Sequence, residues 1–180
     1  MNGEVNISAL ANLEFFPYIE HGQIPELFAS KIGVYAIFNQ EKNLQFVGYS
    51  RDIYLSLKQH LVRQPEQCYW VKFQSISRPS RTVLEQIQNT WIAENGMLPL
   101  GNGDDQEKWT QPINVKPFMT PDEQEQYENS TNDELAQIKV IKSVARRVEA
   151  EILSILQNRG LEEQLRFNPK LKEAGLLDLK

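Results

Sequence analysis

A single cysteine, Cys68, stands among 180 residues, which excludes an internal disulfide framework and any CxxC metal knuckle. Beside a strand-like segment it reads as a small half-buried apolar side chain rather than a reactive thiol. Histidine is almost as scarce, at two, so no metal cluster of the usual His/Cys kind can be assembled. No glycine-rich loop precedes a helix, which removes the phosphate cradle of nucleotide-binding folds. No stretch approaches the roughly eighteen apolar residues that a membrane span requires. The opening MNGEVNISALANLEFF has neither the basic nor the apolar region of a secretory leader. The expectation is a cytoplasmic location (the stromal side in a plastid), with peripheral membrane association at most.

Positive charge is also in short supply. The chain carries 19 Lys and Arg against 24 Asp and Glu, a net charge of -5. Between Lys31 and Leu100 eight basic residues face five acidic ones, while Asp104 to Glu134 holds nine acidic and two basic. Nucleic-acid binders gather Lys and Arg, because phosphate contacts and counterion release supply most of their affinity. A general nucleic-acid surface is therefore not expected. Should one exist, Lys58, Arg63, Lys72, Arg78 and Arg81 would form it.

What is present is a core of ordinary size, with 41% hydrophobic and 24% charged residues. Ile24 to Ser30 predicts a short helix. Gly33 to Asn39 and Leu44 to Ser50 predict strands joined by a polar hairpin loop. Arg51 to Gln64 predicts an amphipathic helix with Ile53, Leu57 and Leu61 on one face. Tyr69 to Ile76 alternates as a third strand. Ser80 caps a further helix whose buried stripe takes Val83 or Leu84, Ile87, Trp91 and Ala93; Gly96 ends it. The interval 101–132, broken by Pro112, Pro117 and Pro121, predicts an irregular excursion anchored by Trp109 and Phe118. From about Asn132 to Asn158, Leu135, Ile138, Ile141, Val144 or Ala145, Val148, Ile152 and Ile155 mark one face of a long helix. The tail, LRFNPKLKEAGLLDLK, is too apolar for a disordered segment. The fold class expected is a small mixed α/β (α+β) domain: a mainly antiparallel three-stranded sheet flanked by helices, with a C-terminal helical extension. Its segments are 1–30 (N-terminal extension), 31–102 (domain), 103–131 (acidic Pro-containing loop) and 132–180 (long helix and Leu-rich tail).

The order strand, hairpin, strand, helix, strand, helix, with Gly33-Val34-Tyr35 on the first strand and Phe46-Val47-Gly48 on the second, resembles the GIY-YIG nuclease superfamily. His60, twelve residues after Gly48, and Asn102, closing the turn MLPLGN, extend the likeness to about seventy residues. The resemblance implies phosphodiester hydrolysis with one divalent metal, Mg²⁺. Carried over by position, Tyr35 fits the first tyrosine, while Phe46 stands for the second and lacks its hydroxyl. Ser56 stands where an arginine is implied, with Arg51 nearby. Gln88 or Thr90, depending on register, stands where a glutamate is implied, with Glu85 one turn before Gln88. If active, Tyr35, Arg51 and His60 would be catalytic and Glu85 would hold the metal.

Because uncharged groups replace the guanidinium and the carboxylate, the resemblance implies a GIY-YIG-like scaffold without catalysis and with no cofactor. Such a scaffold would bind a protein partner through the C-terminal helix and tail. The pattern including PYIEHG and PKLKEAGLLDL also resembles proteins of cyanobacteria and chloroplasts, among them a photosystem I assembly factor. The competing expectation is an endonuclease with a rearranged site.

Overall fold

A computed structural model describes residues 5–180; the first four residues of the expected N-terminal extension lie outside the described residues. The chain divides into two compact units, Met1–Thr110 and Gln111–Lys180.

The first unit is built on a four-stranded antiparallel sheet in the order β1-β4-β2-β3. Its strands are β1 (Phe16–Pro17), β2 (Gly33–Phe38), β3 (Leu44–Ser50) and β4 (Trp70–Ser75). The mixed α/β class stands, but the strand count of three is corrected to four. β1 is two residues long and ends in Pro17, so it lacks the length and alternation by which a strand is read, and proline is tolerated there because β1 is an edge. β2 is an interior strand and all six of its residues are buried. Val34, Ala36, Phe38 and Val47 pack with Leu84, Ile87 and Trp91 of α2 (Arg81–Asn95) on one face. On the other, α1 (Ile53–Arg63) buries Ile53, Leu57 and Leu61 completely, each contributing roughly 1.5–3 kcal/mol.

Both helices start as their sequences dictate. Asp52 caps α1 through Leu55 N, and Ser80 caps α2 through Val83 N. Gly96 closes α2 at φ 81, the left-handed region that glycine enters without strain. Leu84, Ile87 and Trp91 are buried as expected, whereas Ala93 is exposed. The expected helix over Ile24 to Ser30 shrinks to a 3-10 turn at Glu26–Phe28. Ile24 and Phe28 are nevertheless fully buried, whereas Leu27 between them is 39% exposed.

The interval 101–132 is more regular than expected. It contains α3 (Gln106–Thr110), β5 (Ile113–Asn114) and α4 (Pro121–Asn129). Trp109 is buried, but Phe118 is 55% exposed, so its ring is not the second anchor expected. Pro121 starts α4 rather than interrupting it. It occupies the first helical turn, behind a reciprocal capping box between Thr120 and Glu123.

The second unit is organised by α5 (Glu134–Asn158), followed by α6 (Pro169–Lys172) and β6 (Leu176–Leu177). Ile141, Val144, Ala145, Val148, Ile152 and Leu156 make the buried stripe of α5. Leu135 is 78% exposed, so the stripe starts a turn and a half later than the periodicity implies. Within the unit the tail is packed, with Leu161, Phe167 and Leu177 buried and β6 paired with β5. Arg147 ties α5 to α4, reaching Glu123 at 2.6 Å, Glu151 at 2.8 Å and the Phe118 carbonyl at 2.7 Å. Among the described residues no helix is long and apolar enough to cross a membrane.

Candidate functional site

Strand pairing decides which of the candidate residues can meet. Tyr35 lies opposite Gly48, and Val34 opposite Tyr49. Neighbouring residues of a strand face opposite sides, so Tyr35 and Tyr49 stand on different faces of the sheet. Two separate groupings result.

The first lies under α1. Tyr35 Oη and His60 Nε2 are 2.7 Å apart, and both residues are buried. Phe46 packs 4.6 Å from the His60 ring, with Trp109 stacked on it at 5.3 Å and an interplanar angle of 4°. Gly48 is the only residue type this floor admits, since a Cβ there would lie 2.6–2.8 Å from Phe46 and from the Tyr35 phenol. Burial raises the Tyr35 phenol far above its usual range, the Ser56 hydroxyl only partly offsetting it. Burial likewise drives the His60 pKa down to about 3, with the Arg63 guanidinium adding to the fall. His60 Nδ1 is buried without a hydrogen-bond partner. The Trp109 carbonyl, close enough to oppose the fall but not placed for a hydrogen bond, instead accepts from Arg63 Nη1 at 3.1 Å. At neutral pH the pair is therefore a neutral phenol against a neutral imidazole, closed from solvent by Trp109.

The second grouping lies on the α2 side. Tyr49 Oη donates to Glu85 Oε1 at 3.2 Å, and Arg81 Nε donates to the same oxygen at 2.8 Å. The Arg81 hydrogen bond, ahead of that from Tyr49, holds the Glu85 carboxyl below its usual range. Arg51, Ser80 and Arg81 line a cleft beside Tyr49. Glu85 and Arg51 thus keep company with Tyr49, not with Tyr35.

The remaining motif positions serve the framework. Gly33 lies so close to the Gln74 carbonyl that a Cβ would meet it at 2.2 Å. Ser56 Oγ donates to Ser50 Oγ at 2.7 Å. Gln88 Nε2 donates to the Val47 carbonyl at 2.9 Å, and Thr90 Oγ1 to the Gln86 carbonyl at 2.7 Å. Asn102 brackets one residue of β3, accepting from Val47 N at 2.8 Å and donating to Val47 O at 2.7 Å. Of the five basic residues singled out for phosphate contact, Lys72 is buried with Nζ on the Leu10 carbonyl and 4.1 Å from the Phe15 ring centre. Burial lowers its pKa.

Trp109, Tyr49 and Arg81 complete these groupings and were not foreseen as partners of the motif residues. Only the alternation of Tyr49 with Gly48 hinted at a second polar face. Among the described residues no group of three or more His, Cys, Asp or Glu side chains could hold a metal ion. Cys68 is fully buried, its Sγ donating to the His60 carbonyl at 3.6 Å. A cofactor held through an exposed cysteine does not fit these residues.

No family model matches the chain. Over 100 residues it is 38% identical to the bifunctional monothiol glutaredoxin-S16, chloroplastic, of Arabidopsis thaliana, covering 53% of this chain and 33% of that protein. The chain thus spans about a third of the length of this relative.

This likeness corrects the reading of Gly33 to Asn102. The relative carries the name of a glutaredoxin, so the GIY-YIG assignment falls, in both its scaffold and its nuclease form. The photosystem I assembly role falls with it. Of that reading only the chloroplast keeps support, and only as the location in the relative's name. The geometry gives the physical reason against a rearranged nuclease site: Tyr35 and His60 are sealed, and Glu85 sits on the opposite face of the sheet. A Mg²⁺ ion held by Glu85 could not serve the Tyr35 hydroxyl.

Proposed function

We propose that the protein serves thiol-redox physiology as a thiol-independent module, working beside a monothiol glutaredoxin rather than as one. The relative is named bifunctional and monothiol, and this chain spans a third of it. The observation that carries the reading is the state of Cys68. Thiol exchange requires an accessible thiolate, favoured by nearby positive charge or a helix N-terminus. Cys68 is the one cysteine of the sequence and is fully buried, with its Sγ on a main-chain carbonyl. This supports a correspondence with a part of the relative other than the one that uses the thiol. The chain's contribution is noncovalent, through binding.

The glutaredoxin is proposed to meet the C-terminal unit, where Leu135 and Leu153 of α5 stand 78% and 36% exposed outside the buried stripe. Two measurements test this. The purified chain and Cys68→Ser should both fail to turn over a glutathione mixed disulfide. A monothiol glutaredoxin from the same cells should co-elute with the chain, and Leu135→Lys should weaken that association. Turnover dependent on Cys68 overturns thiol independence, and absence of any association overturns the glutaredoxin setting.

A further inference from the structure

The cleft between the end of β3 and the start of α2 has no part in the glutaredoxin reading. It lies on the far face of the sheet from the Tyr35–His60 pair, has a volume of about 380 Å³, and is lined in part by Tyr49, Ser80 and Leu84. That size falls in the range of small-molecule sites, roughly 300–1,000 Å³. Its charge runs against the chain. The protein carries a net charge of -5, yet Arg51 and Arg81 line this cleft and no carboxylate does.

Arg51 is not consumed by the fold, and Arg81 only in part. Arg51 has no ion pair or side-chain hydrogen bond among the described residues. Arg81 spends only its Nε, on Glu85 at 2.8 Å, which leaves both Nη nitrogens without a protein partner there. Guanidinium groups offer planar forks that match carboxylate and phosphate oxygens. The positive end of the fifteen-residue α2 opens beside them at Ser80. Tyr49, Pro79 and Leu84 supply an apolar wall for whatever carries the anionic group.

We propose that this cleft binds a small anion, a phosphate or carboxylate group held between Arg51 and Arg81. The inference rests on the cleft alone and stands whether or not the glutaredoxin reading does. Its test uses the full chain, titrated with inorganic phosphate and, separately, with succinate, and followed by amide chemical shifts. Saturable shifts confined to residues 49–51 and 80–84 are expected. The stronger of the two probes identifies the ligand class. Losing charge-assisted hydrogen bonds should weaken binding about tenfold in Arg51→Gln and more in the Arg51→Gln/Arg81→Gln double variant. Lys170→Gln, a surface charge of the other unit, should leave binding unchanged. Both arginines are exposed, so the variants should keep the wild-type melting profile. No saturable binding of either probe, shifts centred elsewhere, or equal binding by the double variant would each overturn the proposal.

Discussion

Tyr35 Oη and His60 Nε2 meet at 2.7 Å beneath the indole of Trp109, which is stacked on Phe46. The contact spans two elements 25 residues apart and holds a titratable ring where water cannot reach it. That arrangement makes stability depend on pH in a defined direction.

His60 titrates near 3 when folded, against about 6.5 in an unfolded chain. Between these values the unfolded chain binds more protons, so stability falls as pH falls through the window, by about 1.4 kcal/mol per pH unit at most. Above about 6.5 the contribution is complete. Urea unfolding at pH 7 and pH 5 should show this loss, and Tyr35→Phe/His60→Phe should reduce it while keeping the aromatic packing. Parallel pH dependence of the two proteins would contradict a neutral buried His60.

Gly48→Ala should destabilise the first unit by about 1–3 kcal/mol, the cost of overpacking a closed site. The added Cβ meets two rigid rings, with Phe46 at 2.6 Å and Tyr35 Oη at 2.7 Å. Thermal unfolding measures the loss. A second substitution, Phe46→Leu, should recover part of it by opening room on one side.

Removing the Asn102 carboxamide strips the Val47 N–H of its partner there and the Val47 carbonyl of one of two, Gln88 being the other. Asn102→Ala should therefore cost about 1–3 kcal/mol. Asn102→Asp keeps an acceptor for the N–H but turns a second oxygen toward the Val47 carbonyl. It should recover little of the loss in the same unfolding measurement.

In the second unit, Arg147 grips Glu123 with two nitrogens, at 2.6 and 3.2 Å, with side chains only 33% and 19% exposed. A double-mutant cycle between Arg147→Ala and Glu123→Ala should give a coupling of about 1 kcal/mol or more, above the usual exposed pair. Arg147 holds the Glu123 carboxyl below its ordinary range. The contribution is therefore present above the unfolded carboxylate pKa and is lost as pH falls through the folded value. Equal cycles at pH 7 and at pH 2 would refute this.

Elements with strong periodicity and caps were legible in the sequence. Ile53, Leu57 and Leu61 mark α1, and Ser80 with Gly96 bounds α2 as the residues imply. β1 and α4 were not, because neither announces itself by apolar pattern: one is a two-residue edge ending in proline, the other a polar helix made by its capping box. The candidate site shows a further limit. Tyr35 and His60 were both singled out and do meet. Arg51, close in sequence to Ser56, and Glu85, one turn before Gln88, were grouped with them, yet a one-residue change of parity along β3 sends Tyr49 and its partners to the other face. Trp109 closes the site from outside any local pattern, a contact that only chain folding supplies.

The side chain of Asn102 has a meaning beyond the loop it belongs to. β3 is an edge strand of its sheet, and without Asn102 the Val47 N–H would be an open donor and the Val47 carbonyl, still held by Gln88, a half-satisfied acceptor for any passing chain. A carboxamide presents the same two groups as a peptide bond, so it stands in for the missing neighbour and occupies the position where another molecule would zip on. A protein lacking it should acquire a sticky flank and begin to self-associate before it unfolds.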